Sequence, residues 1–149
     1  MTRRHSEAGL TLLEVMVVVA ILGLGVGIAS LRLQPLETPL QSSATLVEGF
    51  FREARLKAIA TTSAYRVLPS TSSRLMAQTA DSCGASTWTT VVGMNLDLAS
   101  GVTLSSTAWS VCFGSRGISN DNVSVKLLHD PLGSTTIEVL LGGTTRIVE

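Results

Sequence analysis

Apolar and polar positions divide the chain into two unequal parts. Near the N-terminus one apolar run dominates. From Leu10 to Leu31 the only strongly polar side chain is Glu14. A helix crossing a bilayer needs roughly 20 apolar residues, and this run supplies them. Gly23 and Gly27 inside it form a small-xxx-small pair, a spacing that lets membrane helices approach closely. Pro35 and Pro39 then interrupt the pattern. Thr38-Pro39-Leu40-Gln41 reads as a new helix start, with Thr38 as N-cap, Pro39 at the first helical position and Gln41 closing a capping box. Leu40, Ala44, Val47, Phe51, Ala54 and Ala58 recur at helical spacing and predict an amphipathic helix over about residues 39–62. Glu48/Arg52 and Glu53/Lys57 fall one turn apart on its other surface, each pair worth a few tenths of a kcal/mol. The two helices are either one kinked rod or two rods with a true break; the pattern leaves both open.

From Tyr65 onward the period changes to that of strands. Short alternating runs cover Tyr65–Leu68, Leu75–Thr79, Trp88–Val92, Trp109–Phe113, Val123–Leu128, Ile137–Leu141 and Arg146–Val148. Trp109, Val111 and Phe113 are expected on one face. Asp130-Pro131-Leu132-Gly133 is a turn signal, and Gly142-Gly143 marks a tight hairpin between the last two strands. Residues 70–73, 81–86 and 115–122 read as loops. The expected fold is α+β. A long N-terminal hydrophobic helix (10–33) precedes a globular domain (34–149), whose amphipathic helix lays its stripe on a C-terminal antiparallel sheet head, about residues 65–149.

Charge adds direction to this picture. Arg3 and Arg4 precede the apolar run, so the N-terminus is expected in the cytoplasm and the remainder exported. Formal net charge is zero, which gives no global attraction to nucleic acid or anionic lipid. Cys83 and Cys112 are the only cysteines. In an exported domain they are expected to pair, and a bridge over a loop of that size is worth roughly 3–4 kcal/mol. The free-thiol alternative stays open on sequence alone. Glu14 is the anomaly. A carboxylate in hydrocarbon costs at least about 2.5–3.5 kcal/mol, so it is expected to have a partner. Cutting the chain after Gly9 would create an α-amino group one helical turn away, on the same chain or on a neighbouring copy.

Gly9-Leu10-Thr11-Leu12-Leu13-Glu14, after a short basic leader and before an apolar helix, resembles the type IV prepilin (class III) signal. The family usually has Phe after the Gly; here it is Leu10. The resemblance implies a leader at 1–9, cleavage between Gly9 and Leu10 by prepilin peptidase, and N-methylation of Leu10. It also implies that Glu14 pairs with the amine of an adjacent subunit in a helical filament, and that the fold is pilin-like. A second resemblance, to the GspH/FimT group of minor pilins and pseudopilins, lies in Phe51 to Ala60, Cys112 to Gly117, Ile137-Glu138-Val139 and Gly143 to Ile147. The implied location is the inner membrane, with the head in the periplasm and later in a pilus or pseudopilus. The implied partners are other pilins, prepilin peptidase and the inner membrane. The rival reading is an ordinary secretory signal peptide cut after Gly27-Ile28-Ala29, leaving a soluble domain that starts at Ser30.

Nothing in the pattern forms a catalytic constellation, so no enzyme activity, cofactor or metal is expected. His5 lies in the leader and His129 beside a turn, where it is expected as an exposed loop residue. One histidine in the head cannot make an HExxH zinc site. Asp121 and Asp130 are too far apart to suggest the calcium loop that major secretion pseudopilins commonly carry. Three readings of function follow from the resemblance: a type IV pilus or competence filament subunit, a type II secretion pseudopilin, and a FimT-like DNA receptor of natural transformation. The family's DNA-binding pattern is Gly-Arg-x-Arg; Gly143-Thr144-Thr145-Arg146 keeps one of its two Arg, and Glu149 follows. Arg116, Lys126 and Arg146 are the candidate DNA contacts. Three scattered cations make a weak phosphate site at physiological salt.

Overall fold

The computed structural model describes residues 12–31 and 38–148, with side chains omitted over 22–31. Gly9, Leu10 and Pro35, with the expected ends of the first helix, lie outside the described residues. The chain divides into two compact units, Met1–Leu36 and Glu37–Glu149. In the first, helix α1 spans Leu12–Leu31, 20 residues with Glu14 in the first turn.

The second unit opens with helix α2, Pro39–Thr61. Thr38 caps it from an extended conformation, its hydroxyl accepting from the Gln41 amide at 3.2 Å. The predicted stripe from Leu40 to Ala58 is buried throughout, joined by Ser43 and Phe50. Ser43 is polar yet fully buried, because its Oγ accepts the Ala99 amide at 3.1 Å. The Glu48–Arg52 and Glu53–Lys57 pairs form at 2.9 and 3.4 Å. The helix ends at Thr62, which adopts a left-handed conformation at φ +53°. A β-branched residue is costly there, whereas glycine is not. Thr62→Gly is therefore expected to stabilise the head by about 0.5–1 kcal/mol in urea unfolding; no gain would mean the cap is unstrained.

Eight strands follow: β1 Ala64–Thr71, β2 Arg74–Ala80, β3 Thr89–Asp97, β4 Val102–Leu104, β5 Val111–Phe113, β6 Val123–His129, β7 Gly133–Val139 and β8 Thr145–Val148. All pair antiparallel, as expected, but they form two four-stranded sheets, ordered β3-β2-β1-β5 and β4-β6-β7-β8. Helix α2 packs on both. Strand β4 has no counterpart among the alternating runs, because three residues are too few to show a period. The Trp109–Phe113 run starts as a strand only at Val111, and all three residues of β5 are buried rather than alternating. The run at Ile137–Leu141 begins earlier and stops at Val139. The loop expected at 70–73 shrinks to residues 72–73, because β1 continues to Thr71.

The core lies between α2 and the inner faces of the sheets. Val67, Leu75, Ala77, Val111 and Phe113 face it from the first, and Val125, Leu127, Ile137 and Val139 from the second. Phe51 sits against Trp109 and Phe113, with ring centroids 6.0 and 6.5 Å away. On the surface, Arg74 and Asp97 tie β2 to β3, with Nη2 to Oδ2 at 2.9 Å. That hydrogen bond holds the Asp97 carboxyl below its ordinary range and the guanidinium above its own.

Candidate functional site

Two features of the chain are candidates for function, the N-terminal helix and one corner of the head. Along α1, at about 1.5 Å per residue, 20 residues span about 30 Å. Leu12, Leu13, Val15, Met16, Val17, Val18, Val19 and Ile21 are all exposed, so apart from Glu14 the described half of the helix is apolar. Such a helix is stable only inside lipid or packed among other helices. Among the described residues, no helix is long and apolar enough to cross a membrane.

The corner of the head forms where the β5–β6 loop and the β7–β8 turn meet the C-terminal half of α2. Arg55 reaches across both, with Nε donating to the Gly117 carbonyl at 2.9 Å and Nη2 to the Gly142 carbonyl at 3.2 Å. Gly117 and Gly143 have φ of +72° and +74°. A Cβ on Gly143 would lie 2.1 Å from the Gly117 carbonyl oxygen, and one on Gly117 would lie 2.6 Å from Ile59 Cδ1. Only bare backbone fits between these loops. The sequence marks Gly142-Gly143 as a hairpin signal but does not show that Gly117 and Arg55 complete the corner. A glycine pair in two separate loops is the one signal it offers.

The Cys83–Cys112 disulfide fastens the β2–β3 loop to the outer face of β5, with Cα atoms 5.8 Å apart. The Asn120 carboxamide accepts the Cys112 amide at 2.7 Å, holding the following loop to the same strand. Beside it the Arg66 guanidinium lies 4.2 Å above the Trp88 ring.

Comparison with known proteins bears on both units. Residues 4–30 match the family model described as the prokaryotic N-terminal methylation motif. The fold is similar to that of the type IV minor pilin FimU from Pseudomonas aeruginosa strain PAO1, with TM-score 0.59 and 15% identity over 74% of this chain and 88% of that one. It is also similar to the minor pseudopilin EpsH of the Type 2 Secretion System of Vibrio cholerae, with TM-score 0.58 and 14% identity over 74% of this chain and 97% of that one. The chain is type IV pilin-like, in its fold and in its N-terminal motif. No curated protein matches it significantly in sequence.

The cations expected to contact DNA are spread over the pilin-like head. Lys126 and Arg146 lie on the outer face of the second sheet, on β6 and β8, with β7 between them. Arg146 is held by Glu138 of β7 at 2.6 Å, so its charge is offset. Arg116 stands exposed on the turn at 114–117, where its neighbour Gly117 lies against Gly143 of the β7–β8 turn. His129 is not a loop residue but the last residue of β6, half-buried, because the strand continues one position past the alternating run. Its imidazole lies over Gly101: a Cβ there would be 3.0 Å from Nε2. Thr103, His129, Asp130 and Pro131 line an open hollow of about 400 Å³ at this end of the sheet. Asp121 and Asp130 fall at opposite ends of β6, and the described residues contain no group of three or more metal-binding side chains.

Proposed function

We propose that the chain is a minor pilin or pseudopilin. The 1–9 leader is removed by prepilin peptidase between Gly9 and Leu10, and Leu10 is then N-methylated. The segment 10–33 anchors the protein in the inner membrane with the head in the periplasm, and residues 34–149 form the globular domain. In the filament Glu14 meets the new amine of an adjacent subunit. The observation that carries this reading is the coincidence of a methylation motif over residues 4–30 with a separate pilin-like unit from residue 37 onward. An ordinary signal peptide accounts for neither.

The likeness to a minor pilin and to a minor pseudopilin is nearly equal. We place the chain in a type IV pilus or competence filament ahead of a type II secretion system. A DNA-receptor role draws little support from the head, since Arg146 is engaged by Glu138.

Mass spectrometry of the membrane-extracted protein tests processing: a chain starting at methylated Leu10 is expected. Glu14→Val is expected to insert and be cleaved normally while its recovery in sheared filaments falls at least about tenfold, a loss of roughly 1.4 kcal/mol of assembly energy. An intact leader, or undiminished incorporation of the variant, sinks the proposal.

A further inference from the structure

The outer face of the first sheet holds a cation without an anion. Tyr65, Val67, Val111 and Phe113 point into the core, so Arg66 and Cys112 between them point out. Arg66 and Cys112 are directly opposite one another on β1 and β5, and Gln78 of β2 completes the row. Side chains opposed in this way have Cβ atoms roughly 4.5–5.5 Å apart. Arg66 donates from Nη2 to the Gln78 carboxamide, and its guanidinium lies over the Trp88 ring. Its Nε is buried and has no acceptor. Among the described residues no carboxylate pairs with it. Asp81 and Asp121, in the loops that follow β2 and β5, are both exposed. A half-buried positive charge with no counterion is costly.

The two sulfurs of the neighbouring bridge differ in access. Cys112 is buried in the ladder, whereas Cys83 is half-buried in the loop at 81–88. Gly84, which follows it, has open space where a side chain would stand. A thiolate from solvent therefore reaches Cys83 first. We propose that the Cys83–Cys112 bridge is a reducible latch, opened by a dithiol at Cys83, with Arg66 as the counterion of the departing Cys112 thiolate. The dithiol's thiolate bonds to Cys83 Sγ. The bond between the two cysteines breaks, and its electron pair leaves on Cys112 Sγ. The reductant's second thiol loses its proton to water and displaces Cys83, which takes up a proton. The reductant ends as a cyclic disulfide, and the bridge ends as one thiol and one thiolate. Exchange is faster when the leaving sulfur is the more stable anion. A guanidinium beside that sulfur supplies the stability. The thiolate is in turn the anion that Arg66 lacks in the bridged protein. Opening frees the loop at 81–88 from β5. The latch is independent of the filament reading, and the failure of either leaves the other standing.

The test uses the full chain in detergent, with dithiothreitol as the dithiol. Samples are quenched at intervals with a maleimide, and the mass of the chain reports the reduced fraction. Arg66→Gln is expected to slow reduction about fivefold, and Arg66→Lys, which keeps the charge, to leave it near the wild-type rate. Direction separates this role from a structural one. An Arg66 that only holds Trp88 and the loop in place would, when replaced, loosen the loop and speed attack on Cys83. Misfolding would likewise expose the bridge and speed its reduction, so it cannot imitate the expected slowing. A second measurement replaces the dithiol by glutathione, a monothiol, which stops at the mixed disulfide. Peptide mapping is expected to find glutathione on Cys83. Glutathione on Cys112, an unchanged or faster rate in Arg66→Gln, or an Arg66→Lys variant as slow as Arg66→Gln would each overturn the proposal.

Discussion

Phe51→Ala is expected to destabilise the head by about 3–5 kcal/mol, a large part of the stability of a small domain. Phe51 is fully buried, and it is the point where α2 meets both Trp109 and Phe113. Removing the ring deletes its transfer free energy and leaves a cavity that the neighbours close only in part. The Trp109 indole is fixed on its other side by a hydrogen bond to the Ser106 carbonyl at 3.0 Å, so it is poorly placed to fill the gap. Phe51→Leu keeps most of the volume and is expected to cost less than half as much. Urea unfolding of the detergent-solubilised chain, followed by tryptophan fluorescence, measures both. A loss below about 1.5 kcal/mol for the alanine variant would show that the core relaxes around the site.

Removal of the Cys83–Cys112 bridge by Cys83→Ala with Cys112→Ala is expected to cost about 3–4 kcal/mol. The cross-link joins positions 29 residues apart, so its loss frees a long loop in the unfolded chain. Two further effects act in the folded state. Cys112 is on the outer face of β5, only 4% exposed, and its burial depends on the loop that the bridge holds down. That strand is three residues long and has one ladder partner, β1, with a single further bridge from Phe113 to Ser119, so it has few ladder bonds of its own to keep it in place. The first sheet should therefore lose its β5 edge before its centre. Hydrogen exchange is expected to quicken at Val111–Phe113 while β1 and β2 stay protected. Uniform acceleration across both sheets would show instead that the bridge acts on the unfolded state alone. Phe113 touches Phe51 and adjoins Cys112. The two losses are therefore expected to be non-additive, with coupling of about 0.5 kcal/mol or more.

Elements with a strong local period are legible in the amino-acid sequence. The α2 stripe, its Thr38 cap and both i,i+4 ion pairs follow from neighbours within one or two turns. Most strands fall within a few residues of their alternating runs for the same reason. The failures share a cause. Strand β4 is too short to repeat, and β5 loses its alternation because a distant disulfide covers its outer face. The N-terminal motif is legible because its residues, Gly9 to Glu14, are neighbours along the chain. The fate of the candidate DNA contacts is not, because Glu138 reaches Arg146 only across the β7–β8 ladder.

By itself, then, the sequence determined an apolar N-terminal helix with one acid, an amphipathic second helix, and a run of antiparallel strands closed by glycine turns. Those properties are set by side chains close together along the chain. Only the tertiary structure decided that the strands form two sheets, that Arg55 ties two glycine loops to α2, and that Glu138 engages Arg146. Each joins residues that are not neighbours along the chain, and no local period records which of them meet.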